Sequence, residues 1–208
     1  MIDIDGFVVE KHIGDGDYEE TEHKIQELLE ERRRVLSGER MLPDRTVSRP
    51  LAAVTVDFSE IGTPEIYLGS QKTRGHFGNA EGLVYAKTTD YRLPKNISPH
   101  TVYVDGSWYN DADALTLKSK NGKIVLIYKA KVVNMVMGAS QGSIRLRIKL
   151  DGKPLTEKNR GKDVSAENIV SVSSFELYNI ISDSRYGQHR LEIEVQDAGL
   201  EVYAFTFG

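Results

Sequence analysis

The 208 residues are 39% hydrophobic and 28% charged, with a mean hydropathy of −0.39, which is the composition of one ordinary domain with an appendage or of two small ones. Basic residues number 27 and acidic residues 31, a net charge of −4 that sets nucleic-acid binding aside. With no cysteine, disulfides, thiolate nucleophiles and Cys-ligated metals are excluded, and no apolar run approaches the ~18 residues of a spanning helix.

Residues 1–12 predict a hairpin. Ile2 and Ile4 lead into Asp5-Gly6, a strong two-residue turn signal, and Phe7, Val8 and Val9 follow as a second strand. The opening MIDIDGFVVE lacks the basic stretch that starts a signal peptide. After a loop at 14–17, Asp17 and Glu20 have capping-box spacing. A helix is predicted over 18–36, its apolar face marked by Ile25, Leu28, Leu29 and Leu36 with Val35 beside them. Glu19 and Glu20 near its start and Arg32, Arg33 and Arg34 near its end suit the helix dipole, and Gly38 suits the stop. A hairpin and one helix bury too little apolar surface to fold alone. Their apolar face must dock on the rest of the chain, on another domain, or on a second copy in a homodimer.

Residues 39–50 have loop composition with prolines at 43 and 50, and are expected to be a linker. Beyond it the hydrophobic period changes to two. Ile144, Leu146, Ile148 and Leu150 alternate with Arg145, Arg147 and Lys149. Leu191, Ile193 and Val195 alternate with Arg190, Glu192, Glu194 and Gln196. Both predict antiparallel strands with one wet face. Segments 124–128, 132–137 and 200–207 are apolar on both faces and suit central strands. Asn121-Gly122 carries a hairpin signature. About ten strand candidates predict an antiparallel β-sandwich of jelly-roll type over residues 51–208.

Gly138-Ala139-Ser140-Gln141-Gly142 matches the pattern G-x-S-x-G. A nucleophile elbow needs a helix after it, whereas strand patterns flank this motif on both sides, so a polar hairpin turn is expected. His12, His23, His76, His100 and His189 show no metal-ligand spacing. Asp105, Asp111 and Asp113 are loop acids that could converge on a calcium ion, which spacing alone does not decide. No metal, cofactor or catalytic constellation is expected. A sugar site needs an aromatic plate with polar groups beside it. Trp108 and Tyr109 point to opposite faces if they lie on a strand, so one is core and the other exposed. Tyr186 with Arg185 forms a second stacking candidate in the loop 182–187. The glycine-rich segment 69–82 offers Lys72, Arg74, His76, Phe77 and Asn79, with Arg74 the chosen ligand candidate.

The stretch from Ile2 to Val9, with Gly14-Asp15-Gly16-Asp17-Tyr18 and Glu22, Ile25, Leu28 and Leu29, resembles the last two strands and last helix of a thioredoxin-like domain. Thr63-Pro64-Glu65-Ile66-Tyr67-Leu68-Gly69, Gly106-Ser107-Trp108, Val136-Met137-Gly138, Leu150-Asp151-Gly152 and the closing residues 199–208 resemble the C-terminal domain of DipZ-type thioredoxin-like proteins. The resemblance implies a thioredoxin-like remnant over 1–38 and a sandwich similar to carbohydrate-binding modules over 51–208. It implies a carbohydrate or a redox partner domain as ligand and leans toward an extracytoplasmic setting. The redox-active Cys-x-x-Cys of the family would lie upstream of Met1, so thiol chemistry is carried by no residue here. The expectation is a non-catalytic accessory module. The alternative is the C-terminal piece of a thiol–disulfide oxidoreductase or peroxiredoxin-like enzyme.

Overall fold

The hairpin turn falls one residue earlier than Asp5-Gly6: the Gly6 N–H closes it on the Asp3 carbonyl at 3.2 Å, with Ile4 and Asp5 at its centre, and Gly6 follows at a φ of +88°, a conformation open to glycine without steric cost. One Asp3 carboxylate oxygen accepts the Asp5 and Phe7 N–H groups at 3.0 and 2.8 Å, and Ile2 bridges Val8 in antiparallel fashion. Helix α1 runs Tyr18–Ser37, with Glu19 and Glu20 in its first turn and Arg34 in its last. The computed structural model describes residues 1–11, 18–37 and 57–208. The capping Asp17, Gly38, His12 and the linker at 39–50 lie outside the described residues. The chain divides into the units Met1–Val56 and Asp57–Gly208.

In the second unit the ten strands are β1 (Ile66–Tyr67), β2 (Lys87–Tyr91), β3 (Val102–Asn110), β4 (Leu115–Leu117), β5 (Gly122–Ala139), β6 (Ile144–Leu150), β7 (Lys153–Pro154), β8 (Ile169–Val172), β9 (Glu176–Val195) and β10 (Leu200–Phe207). All their pairings are antiparallel. The fold is the expected mainly β sandwich. Its frame is the long ribbon of β5 and β9, whose register breaks between Ala130 and Val132 and between Val133 and Asn134. Bulges at these points let one ribbon pass from one layer into the other. On one side of the break β5 pairs with β3, and on the other it pairs with β10. Alternation holds where it was read: Ile144, Leu146, Ile148 and Leu150 are buried, while Arg145 and Arg147 are exposed.

Between the layers Trp108, Tyr91, Tyr128, Phe205, Met135 and Met137 are each 2% exposed or less. Such burial is the main favourable term in the fold. Tyr91 uses its hydroxyl on the Gly82 carbonyl and the Asn110 side chain, at 2.8 and 2.9 Å.

Two further local readings are corrected. Asn121-Gly122 is not a hairpin turn. Neither residue has a positive φ, which the two-residue turn demands at both central positions. Instead β4 and β5 both pair with β3, Leu117 against Trp108 and Lys123 against Asp105, with 118–121 bulging between them. Gly106, at φ +102°, faces this bulge, and a Cβ there would lie 2.8 Å from the Asn121 carbonyl. The actual turn is 111–114, closed by the Asp111 N–H on the Ala114 carbonyl at 2.9 Å. The G-x-S-x-G segment is a turn between strands, but β5 and β6 do not pair with each other, so it is a connection rather than a hairpin. Gly142 supplies the positive φ of +67° there.

Candidate functional site

The outer face of β1, β10, β5 and β9 carries an aromatic platform. Cross-strand partners share a face, so the register places its residues. One row runs Tyr67, Ala204, Val136, Leu177. A neighbouring row runs Tyr109, Thr116, Glu201, Gly138. Inward-pointing Met135 and Met137 are buried, while Val136 between them is half-buried, as strand alternation requires.

Phe175 closes the second row. Its ring lies over Gly138, where a Cβ would approach to 2.2 Å. The missing side chain is what lets an aromatic lie flat on the strand at this point. Phe175 meets Tyr203 edge to face at 6.2 Å between ring centroids, a favoured aromatic geometry. Phe175 remains 54% exposed and Leu177 47%.

Carboxylates hold the phenols. Tyr203 donates to Glu201 at 3.0 Å, and Ser140 donates to the other oxygen of Glu201 at 2.5 Å. Burial, then the bond to Glu201, push the Tyr203 phenol up to about 12. Tyr67 donates to Glu65 at 2.6 Å, and that bond raises its phenol too. Both hydroxyls therefore stay protonated, while each carboxylate keeps lone pairs for a ligand hydroxyl. The Arg74 guanidinium lies 5.8 Å from the Tyr67 ring centre. Tyr67, Gln71, Lys72 and Arg74 line an open hollow of about 480 Å³ at this end of the platform. Lys72 stands 3.8 Å from Asp113.

Of the residues singled out in the sequence, Arg74 and Tyr109 belong to this face. Tyr109 also lies under Lys118, whose ammonium is 5.4 Å from the ring centre. Trp108 does not belong: it is fully buried, and its indole N–H donates to the Asp105 carbonyl at 2.9 Å. Its ring has no face free for a ligand, because it is the inward partner of Tyr109. Arg185 and Tyr186 sit by the ribbon's break, where Gly187 pairs with Ala130, eight residues along β5 from Gly138. There the Tyr186 oxygen accepts the Asp57 N–H at 2.7 Å, and the Lys131 ammonium lies 4.8 Å from its ring centre. Half of the loop 69–82 serves the core: Asn79 accepts the Val104 N–H at 2.8 Å, and Phe77 packs edge-on against Tyr91. Among the described residues no three His, Asp or Glu side chains are placed to share a metal ion. Phe175 and Tyr203 are the site residues that sequence reasoning missed. Tyr203 is the extra residue where the register of β10 shifts between Val202 and Ala204, so strict period two does not place it. Phe175 carries no local signal, because its role depends on the distant Gly138.

A model of the thioredoxin-like C-terminal domain matches residues 63–208. The chain belongs to the thioredoxin-like C-terminal domain family. Two proteins named DipZ, from Mycobacterium bovis and Mycobacterium tuberculosis, are each 26% identical to it over 210 positions, covering all of this chain and 26% of theirs. The chain thus spans about a quarter of the length of these curated relatives. Partial structural likeness extends to a family two carbohydrate esterase from Cellvibrio japonicus, with 17% identity, a TM-score of 0.41, and coverage of 53% of this chain and 31% of that one. A family two carbohydrate esterase from Clostridium thermocellum, solved with cellohexaose, has 15% identity, a TM-score of 0.42, and coverage of 51% and 31%. This family member has no helix among its described residues that is long and apolar enough to cross a membrane, a statement that leaves strand-built barrels aside.

Proposed function

We propose that the chain is a non-catalytic accessory module of a thioredoxin-family protein, and that its sandwich binds a carbohydrate on the outer face of β1, β10, β5 and β9. The single observation that carries this reading is exposed Phe175, seated on Gly138 and packed edge to face against half-buried Tyr203, with Glu201 beside it. A pyranose presents an apolar C–H face that stacks on such rings, while its hydroxyls require acceptors at the ring edge. Glu201, Glu65 and Gln71 supply such acceptors around Tyr203 and Tyr67, and the Arg74 guanidinium adds donors. The helix and hairpin of the first unit correspond on this reading to the end of a thioredoxin-like fold, in an extracytoplasmic protein whose redox domain lies elsewhere.

The test is affinity electrophoresis of the full chain against a panel of neutral and acidic polysaccharides. Retardation by at least one of them is expected. Phe175→Ala and Tyr203→Ala should each weaken it about tenfold, which is about 1.4 kcal/mol. Tyr186→Ala should leave it unchanged. Migration equal to that of a non-binding control protein across the panel would overturn the carbohydrate reading.

A further inference from the structure

The face that carries Phe175 continues along one line of the sandwich layer. Thr88 on β2 pairs with Tyr109 on β3, Tyr109 with Thr116 on β4, Thr116 with Glu201 on β10, and Glu201 with Gly138 on β5. Partners across antiparallel strands share a face, so these positions form one row that crosses the strands. Trp108 and Asn110 flank Tyr109, Leu115 and Leu117 flank Thr116, and Leu200 and Val202 flank Glu201; all six are fully buried, which turns the row itself outward. An aromatic ring stands toward each end. Phe175 lies on Gly138, and Tyr109 lies three strands away on β3. At a strand spacing of about 4.8 Å the two rings are about 14 Å apart. Between them the row carries a hydroxyl, on Thr116, and a carboxylate, on Glu201.

We infer that the ligand of this face is an internal stretch of a neutral, β-1,4-linked polysaccharide, laid across the strands and bridging Phe175 and Tyr109. The inference rests on the carbohydrate reading above and adds the kind of chain. A β-1,4-linked pyranose advances its chain by about one strand spacing, so the sugars over the two rings are about three positions apart and about four sugars fill the row. Equatorial linkages on both sides of each sugar keep such a chain extended, and its C–H faces reach both rings. An α-1,4-linked chain coils and leaves the row before it reaches the second ring. Between the rings the sugar hydroxyls meet Thr116, whose hydroxyl both donates and accepts, and Glu201, whose oxygens keep lone pairs after taking the bonds of Ser140 and Tyr203. A carboxylate in the middle of the row repels a uronate or a sulfated sugar, so the chain is neutral. At the far end the exposed Lys118 ammonium, 5.4 Å from the Tyr109 ring centre, donates to hydroxyls. Beyond Tyr109 the row ends on the small side chain of Thr88, which leaves the chain room to run on past the ring.

The experiment is titration calorimetry of the full chain with two oligosaccharide series, β-1,4-linked glucose and β-1,4-linked N-acetylglucosamine, each from the monomer to the hexamer, beside the α-1,4-linked glucose hexamer. At least one β-1,4 series should bind. Its affinity should rise about tenfold from trimer to tetramer, where the second ring is first reached, and little from tetramer to hexamer. Tyr109→Ala should remove that step, so that the hexamer binds like the trimer. Tyr109→Phe keeps the ring and should keep the step, and a cooperative thermal transition in both variants shows that each is folded. Phe175→Ala should weaken every length that binds. Equal affinity for dimer and hexamer, a step that survives Tyr109→Ala, or equal binding of the α-1,4-linked hexamer would overturn the inference and leave the carbohydrate reading standing. The same holds if polysaccharides of the electrophoresis panel retard the protein but neither β-1,4 series binds. No retardation by any polysaccharide overturns both.

Discussion

The two units solve the burial problem in opposite ways. Every buried apolar side chain among the described residues lies between Ile66 and Phe205. Of the fourteen exposed large apolar side chains, nine belong to the short stretches 1–11 and 18–37, and only five to residues 57–208. Helix propensity, dipole-matched ends and a glycine turn shape the described parts of the first unit locally, and among its described residues no apolar side chain is buried. The sandwich has its stability from burial between layers. Local regularity and thermodynamic independence are separate properties.

The largest effect follows from cutting between the units. Residues 57–208 alone should keep a cooperative thermal transition within a few degrees of the full chain's, while residues 1–56 alone should show no cooperative transition. Circular dichroism of the two fragments measures both. A sandwich that fails to fold without residues 1–56 would break the comparison.

A smaller effect separates core from platform inside the sandwich. Trp108 and Phe175 are both large aromatics, but Trp108 is fully buried and Phe175 is more than half exposed. Trp108→Ala should cost about 3–5 kcal/mol in urea unfolding, the range for a buried aromatic. Phe175→Ala should cost less than about 1 kcal/mol. Equal losses would mean that Phe175 is core and that the platform is not a free surface.

The legibility of the molecule divides along similar lines. Strands with one wet face were readable from alternation, because in 144–150 and 191–195 the pattern itself is the burial. The helix was readable from period and end charges. What escaped is what depends on distant partners. Asn121-Gly122 has the composition of a tight turn, but Gly106 on β3 gives the chain room to bulge, and the strand continues. Trp108 and Tyr109 were correctly read as facing opposite ways, but their alternation leaves open which one faces the core. Pairing with Leu117 inside and Thr116 outside decides it. Phe175 becomes a platform residue only because Gly138, far from it in sequence, lacks a side chain. Arg185 and Tyr186 looked like a tip from loop composition, yet they lie at the ribbon's break and not beside Tyr203.

The smallest effect tests a polar clasp on the sandwich surface. Asp151 has a φ of +52°, and its carboxylate accepts the Arg190 N–H at 2.8 Å and meets His189 Nδ1 at 2.7 Å. Partial burial pushes its carboxyl upward, but the Arg190 N–H and the His189 ring outweigh this and hold it below the usual carboxylate range. A lowered folded-state pKa contributes stability above the unfolded value of about 3.9, and that contribution disappears as pH falls through the folded value. The side chain is 51% exposed, so solvent screens the interaction and the contribution should stay below about 1 kcal/mol. Asp151→Asn preserves the backbone, because asparagine also tolerates positive φ. Its unfolding free energy, measured from pH 6 to pH 2, should fall less steeply than the wild type's at the acid end, with little difference in slope above pH 5. An identical acid slope in the two proteins would mean that the clasp holds His189 and the strand in place without contributing to acid sensitivity.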